Sequence, residues 1–386
     1  MIFGSKAAVG LDIGSSCVKA VQLGRIGKTG IELERFGMAE IYPGGDKMAA
    51  GDNVHDLKVS AIKRALAQAR ITAKQTVSAV SGESIIVRYI QLPNMPEQEL
   101  RNALRWEAEE YIPFPIDDVN LDSVILGRSE DGERVDVLLV SAKKDLVSGH
   151  LELIRDAGLT PLIVDVDSFA FLNCFEVNYT PAPTEVVALV NIGAEITSIS
   201  IYIGGVSRFS RDISIAGDAI TKNIQAKLNC DWVQAERIKI QQGVPEPAEE
   251  EAAPTPSEDL SILETIRGTV ERITGEDLRD DSPEAVSNRV IRTTLTNLVS
   301  EIRRSIQFFE NQPNGRPVQK IVIGGGTAQM HGLDRFLSRE LNLPAEIIDS
   351  LRRITVKSRD VDTALLESSK LMLGVGIGLA LRKVVE

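Results

Sequence analysis

The stretch Ala7–Leu23, AAVGLDIGSSCVKAVQL, decides how the rest of the chain is read. Ala7–Ile13 is an almost unbroken apolar run, the pattern of a buried strand, and Cys17–Leu23 alternates as the strand that returns beside it. Gly14-Ser15-Ser16 supplies the turn, and Asp12 stands just before it. Backbone N–H groups in such a turn can cradle a phosphate. A carboxylate at that place can hold a hydrated Mg2+, a cation that takes oxygen ligands and keeps several waters. Lys19, on the returning strand, can reach the same phosphate. An ordinary hairpin with a solvated Asp is written in the same letters, so this stretch alone leaves both readings open.

The pattern returns in the second half. Val186–Ile192 reads as a strand, Gly193-Ala194-Glu195 as a turn and Thr197–Ile203 as the next strand. GLDIGSSCVKAVQL and LVNIGAEITSISIY are weak internal echoes, which predicts two lobes of one design. Asn191, Gly193, Ala194 and Thr197 would then face a ligand from the other side, although read alone the segment is equally a plain hairpin. Lys320–Ile323 is a strand followed by Gly324-Gly325-Gly326 and a helix from about Gly332; three glycines permit close backbone approach to a ligand. Neither GxGxxG nor GxxxxGK[ST] occurs, so the dinucleotide and P-loop fingerprints are excluded. Glu236 and Lys239, in AERIK, stand three apart and share one side of a helix, as a surface ion pair or as part of a site.

The formal charge of -12 is unevenly spread. Thirteen acids and three arginines between Pro245 and Ala285 account for -10 of it, leaving a nearly neutral remainder. No Lys/Arg block stands out, which argues against nucleic acid as a partner. Cys17, Cys174 and Cys230 are far apart and lack CxxC spacing, which fits free thiols in a reducing compartment. The three histidines form no metal motif. The longest late apolar run, Leu371–Leu381, is about half the ~20 residues of a membrane span. The opening residues make a poor signal peptide, and the expected location is the cytoplasm.

The chain divides into three expected parts. Residues 1–82, with 166–184 and a closing helix at 370–386, form a first lobe. Residues 83–165 read β-α-β-β-α-β, a small α+β subdomain. Residues 185–369 form a second lobe that includes an acidic Pro/Ala/Glu insertion at about 244–285, with almost nothing to bury.

In this order the three glycine segments resemble the phosphate-1, phosphate-2 and adenosine motifs of the actin/Hsp70/sugar-kinase ATPases, and AERIK is similar to the helix on which bacterial members hold the ribose. SKAAVGLDIGSSCVKAVQL, the segment LRWEAEEYIPFP at Leu104–Pro115, the helix EIRRSIQFF at Glu301–Phe309 and the ending Gly374–Leu381 are more specific. They resemble the PilM family, the actin-like proteins of type IV pilus assembly, relatives of the division protein FtsA. The resemblance implies an α/β, actin-like (ribonuclease H-like) two-lobed ATPase fold with an FtsA-type subdomain inserted in the first lobe. It implies ATP and Mg2+ as cofactors, with Asp12 as the sole metal-side carboxylate, holding the ion through water. Asp12, Gly14, Ser15, Ser16, Lys19, Asn191, Gly193, Ala194, Thr197, Glu236, Lys239, Gly324, Gly325 and Gly326 would bind nucleotide. It implies a scaffold at the cytoplasmic face of the inner membrane, peripheral to it through partners. The N-terminal cytoplasmic peptide of PilN would dock beside the subdomain, with Leu100, Leu104 and Tyr111 as groove candidates or simply its core, and other platform and motor proteins would join. Many ATPases of the superfamily carry Asp where this chain has Asn191; Asn cannot act as a base, so hydrolysis is expected to be slow or absent. A filament-forming cytoskeletal protein is the rival reading, and a small-molecule kinase a more distant one.

Overall fold

The structure, a computed structural model, describes residues 8–27, 29–47, 53–129, 131–245, 280–312, 315–357 and 359–384. In chain order, β1 (Ala8–Ile13), β2 (Cys17–Ile26) and β3 (Gly30–Glu40) form an antiparallel meander, followed by α1 (Val54–Gln68) and β4 (Gln75–Val80). Next come β5 (Ile85–Pro93), α2 (Glu97–Tyr111), β6 (Val119–Arg128), β7 (Arg134–Lys143) and α3 (Lys144–Asp156), then β8 (Thr160–Val166) and α4 (Asp167–Tyr179). The second half holds β9 (Val186–Ile192), β10 (Thr197–Ile203), β11 (Val206–Ile213), α5 (Gly217–Leu228), α6 (Trp232–Gln242) and α7 (Pro283–Glu310). It closes with β12 (Lys320–Gly324), α8 (Leu333–Leu341), β13 (Ala345–Ile347), β14 (Ile354–Val356), α9 (Thr363–Ser369) and α10 (Gly374–Leu381).

These strands make a six-stranded sheet, β14-β3-β2-β1-β4-β8, a five-stranded sheet, β11-β10-β9-β12-β13, and a three-stranded sheet, β5-β7-β6. β4 runs parallel to both β1 and β8, as βαβ connections require. One core joins the two large sheets: Val21, Leu33 and Phe36 of the first and Leu189, Tyr202 and Val322 of the second pack with Phe171 and Phe175 of α4 and Ile377 of α10. α4 and α10 are thus the apolar pivot between the lobes. Every residue of α10 is buried. It approaches β1 so closely that a Cβ at Gly10 would overlap the backbone of Gly376 and Ala380. Among the described residues no single helix is long and apolar enough to cross a membrane, and the pair Thr363–Met372 and Gly374–Leu381 bends by 93°.

Three expectations need correction. β8, assigned to the subdomain, is an edge strand of the first sheet. β14, assigned to the second lobe, pairs with β3 in the first. The sequence marks such segments as strands but not as members of a particular sheet. The closing helix at 370–386 is shorter: a 3-10 turn at Lys370–Met372 precedes α10. The acidic segment, from 246 to 279, lies outside the described residues.

The small subdomain is rooted in the first lobe but also touches the second. At its root the N–H of Gly82, the last residue of the first lobe, donates to Asp212 Oδ2 (2.6 Å); within it Glu83 Oε1 accepts from Ser214 Oγ (2.7 Å) and Tyr89 Oη donates to Ser207 Oγ (2.6 Å). Arg208 lies 3.6 Å from Asp136. Asp212, Ser214, Ser207 and Arg208 all lie on or next to β11.

Candidate functional site

Each lobe presents a hairpin turn built to the same plan. In the first, Asp12 and Lys19 are cross-strand partners, as are Ile13 and Val18, and Gly14 N–H closes the turn on Cys17 O (3.2 Å). Asp12 and Lys19 are 8% and 9% exposed, with Lys19 Nζ 3.1 Å from Asp12 Oδ2. Burial works against the Lys19 ammonium, but Asp12 and then Cys17 outweigh it, and its pKa is raised. Beneath the turn, Leu11 O accepts from Ser78 Oγ (2.6 Å). Having spent its proton there, Ser78 accepts from His150 Nε2 (2.9 Å). Burial and then Lys58 hold His150 neutral, with its pKa lowered to about 4.

In the second turn, Asn191 faces Ser198 across the ladder, Ile192 faces Thr197, and Gly193 N–H closes on Ile196 O (2.9 Å). Gly193 O accepts from Thr327 Oγ1 (2.7 Å) and Gly217 N–H (3.2 Å), and Ala194 O from Asp218 N–H (2.7 Å). These bonds tie the turn to the start of α5 and to the late glycine segment. At Gly325, φ is +93° and a Cβ would strike the Ile192 carbonyl, so glycine is required. On α6, Lys239 is buried and its Nζ lies 2.7 Å from Glu236 Oε2, 3.0 Å from Thr221 Oγ1 and 3.3 Å from Gly217 O.

Between the turns is a cleft of about 370 Å³. It gathers Asp12, Gly14, Ser15, Ser16, Lys19, Asn191, Gly193, Ala194, Glu236, Lys239, Gly325 and Gly326. Two expected members are absent. Thr197 is fully buried, its hydroxyl spent on Ile215 O (2.7 Å). Gly324 is a strand residue packed on the Phe171 ring. Leu100 and Leu104, expected in a partner groove, are buried in the subdomain core with Ile90, Leu92, Ala108 and Val137. The alternation of α2 that made them candidates is that of its core face. Tyr111 is 39% exposed.

The cleft also holds residues that stand in none of these motifs. Trp232, Ile240, Met330 and Met372 give it an apolar end. Lys47 and Asp218 line its mouth. Asp167, the first residue of α4, is pushed from 3.8 to about 7 by burial and then by the charge of Asp12. The only sequence sign of Asp167 is an acid at the end of an apolar strand, LIVDVD.

Six carboxylates, Asp12, Glu40, Asp167, Glu195, Asp218 and Glu236, and three lysines line the cleft. A polyphosphate entering so acidic a site needs a cation with it. Among the described residues no group of three or more His, Cys, Asp or Glu side chains can hold a metal unaided. The pair Asp12 and Asp167 fits a hard, hydrated ion that arrives with a phosphate, which is how Mg2+ is usually bound.

Against known proteins, the chain matches the family described as "Type IV pilus assembly protein PilM" over residues 10–257 and 268–384. It belongs to that family. A solved structure described as "PilM-PilN type IV pilus biogenesis complex" superposes with a TM-score of 0.75 at 29% identity, covering 98% of both chains. The fold is accordingly the actin-like two-lobed one. Cell division protein FtsA of Neisseria meningitidis serogroup B is 27% identical over 162 residues, 41% of this chain and 35% of that protein. FtsA of Staphylococcus epidermidis is 24% identical over 270 residues, 61% of this chain and 54% of that protein. The matched region thus spans a third to a half of these FtsA proteins.

Proposed function

We propose that the protein binds ATP with Mg2+ in the interlobe cleft and serves as a cytoplasmic scaffold of the type IV pilus inner-membrane assembly platform. In that role it holds the N-terminal cytoplasmic peptide of PilN beside the small subdomain and lies at the membrane face through its partners, including other platform and motor proteins. One observation carries the reading: two glycine turns of the same hydrogen-bonded design meet across one cleft, in a chain that aligns over 98% of its length with a member of a PilM–PilN complex.

The turn amides and Lys19 receive the phosphates, Glu236 and Lys239 the ribose, and Gly325 and Gly326 allow the nucleoside to approach the backbone. Asp12 and Asp167 would hold Mg2+, which would supply charge to neutralise the phosphates. On this reading Asp167 joins Asp12 on the metal side. Asn191 brings neither charge nor basicity to the second turn, so turnover is slow. Of the three groove candidates only Tyr111 stays in contention.

Calorimetry of Mg-ATP with the native chain and Asp12→Ala tests the site, and equal affinities would reject it. Titrating the PilN N-terminal peptide with and without ATP tests the coupling; identical affinities would leave a scaffold indifferent to nucleotide. A filament-forming relative of FtsA is a distant second reading, for which ATP-dependent sedimentation is the sign.

A further inference from the structure

The three lysines of the cleft are each held by carboxylates, but the pairs differ in which lobes they join. Lys19 and Asp12 sit on neighbouring strands of the first sheet, and Lys239 and Glu236 one turn apart on α6. Movement of one lobe against the other leaves both pairs intact. Lys47 is different. It follows β3 in the first lobe, yet its Nζ lies 2.7 Å from Asp218 Oδ2 and bonds Glu195, both in the second. Glu195 also hydrogen-bonds Ser15, so this carboxylate of the second turn touches the first.

The clasp is partly desolvated. The Lys47 side chain is 18% exposed, and although burial works against its charge, the bonds to Asp218 and Glu195 raise its pKa. Burial likewise works against the Glu195 carboxylate, but Lys47 lowers its pKa. The clasp therefore joins Lys47 of the first lobe to two carboxylates of the second in the lining of the cleft that both turns share. A terminal phosphate carries more charge than a carboxylate and offers three acceptor oxygens to an ammonium donor.

We infer that Lys47 reads the terminal phosphate of the nucleotide: it leaves Glu195 and Asp218 for that phosphate, and the nucleotide then replaces the ion pair as the link between the lobes. This rests on the nucleotide reading above and adds to it the group that tells a nucleoside triphosphate from a diphosphate. A diphosphate, one group shorter, leaves Lys47 on its carboxylates.

The test is calorimetric titration of the full chain with Mg-ATP and Mg-ADP. Lys47→Met should weaken ATP about ten-fold or more and ADP by less than about two-fold. Lys47→Arg, which keeps the charge, should retain the preference for ATP. Glu195→Gln removes the competing charge and should raise the ATP-to-ADP affinity ratio roughly three-fold. Equal weakening of both nucleotides by Lys47→Met, or tighter binding of both, overturns the inference while the nucleotide site stands. Absence of binding by the native chain overturns both. If Lys47→Met does not fold, as a thermal melt would show, the Glu195→Gln ratio decides, and an unchanged or lower ratio overturns the inference.

Discussion

The two turns share a ladder register and a closing hydrogen bond but solve their electrostatics differently. Where the first has Asp12 opposite Lys19, the second has Asn191 opposite Ser198. The first carries its own buried ion pair, braced from below by Ser78 and His150. The second is neutral at the same register position and takes its cation, Lys47, from the other lobe. Similar backbones can thus divide one task, with one turn charged and self-sufficient and the other dependent on closure.

The largest expected effect comes from breaking the self-sufficient turn. Asp12→Ala leaves Lys19 buried without its carboxylate and should cost about 3–5 kcal/mol in urea unfolding. Asn191→Ala should cost only about 1 kcal/mol. Comparable losses would mean that the turns are not electrostatically distinct. A carboxylate at the second turn should come next. Asn191→Asp supplies the missing charge and should speed single-turnover ATP hydrolysis by roughly 10–100-fold. An unchanged rate would show that the neutral side chain is not what makes turnover slow.

The brace beneath the first turn makes a pH prediction. The folded pKa of His150 lies below its ordinary 6.5, at about 4, so the unfolded chain binds the extra proton first as pH falls. This contribution is fully present above about pH 6.5 and is lost as pH falls towards about 4. The difference between native and His150→Gln unfolding curves should therefore change by roughly 3 kcal/mol across that window. A flat difference would remove the histidine from the brace. The smallest effect is expected at Thr197. Thr197→Val should cost about 1 kcal/mol through the lost bond to Ile215 and leave ATP affinity unaltered. A drop in affinity would return this hydroxyl to the ligand.

Most of what was legible in the sequence was local. Alternation and glycine placement mark both hairpins, and their order along the chain points to a two-lobed fold before any contact is seen. Asp12, Lys19, Asn191 and Glu236 could be singled out because each stands in a short motif. Lys47 and Asp167 could not, because each owes its place to partners far away in the chain: Lys47 meets Asp218, and Asp167 feels Asp12. Thr197 opens the strand after the turn and was expected to face the ligand, but its side chain points into the lobe, since one strand position separates the two outcomes. β8 and β14 were readable as strands, but the sheet each joins is decided by tertiary packing. Leu100 and Leu104 had the spacing of a docking face, which is also the spacing of a core.

The contacts that Gly82 at the root of the small subdomain, and Glu83, Tyr89 and Asp136 within it, make to β11 and its flank have a mechanical consequence. A module spliced into one half of a jaw and fastened to the other is a bracket across the joint. On its side the jaw can widen only after those fastenings give way. A guest lodged against the bracket would therefore bear on how far the two halves swing, without ever touching the nucleotide.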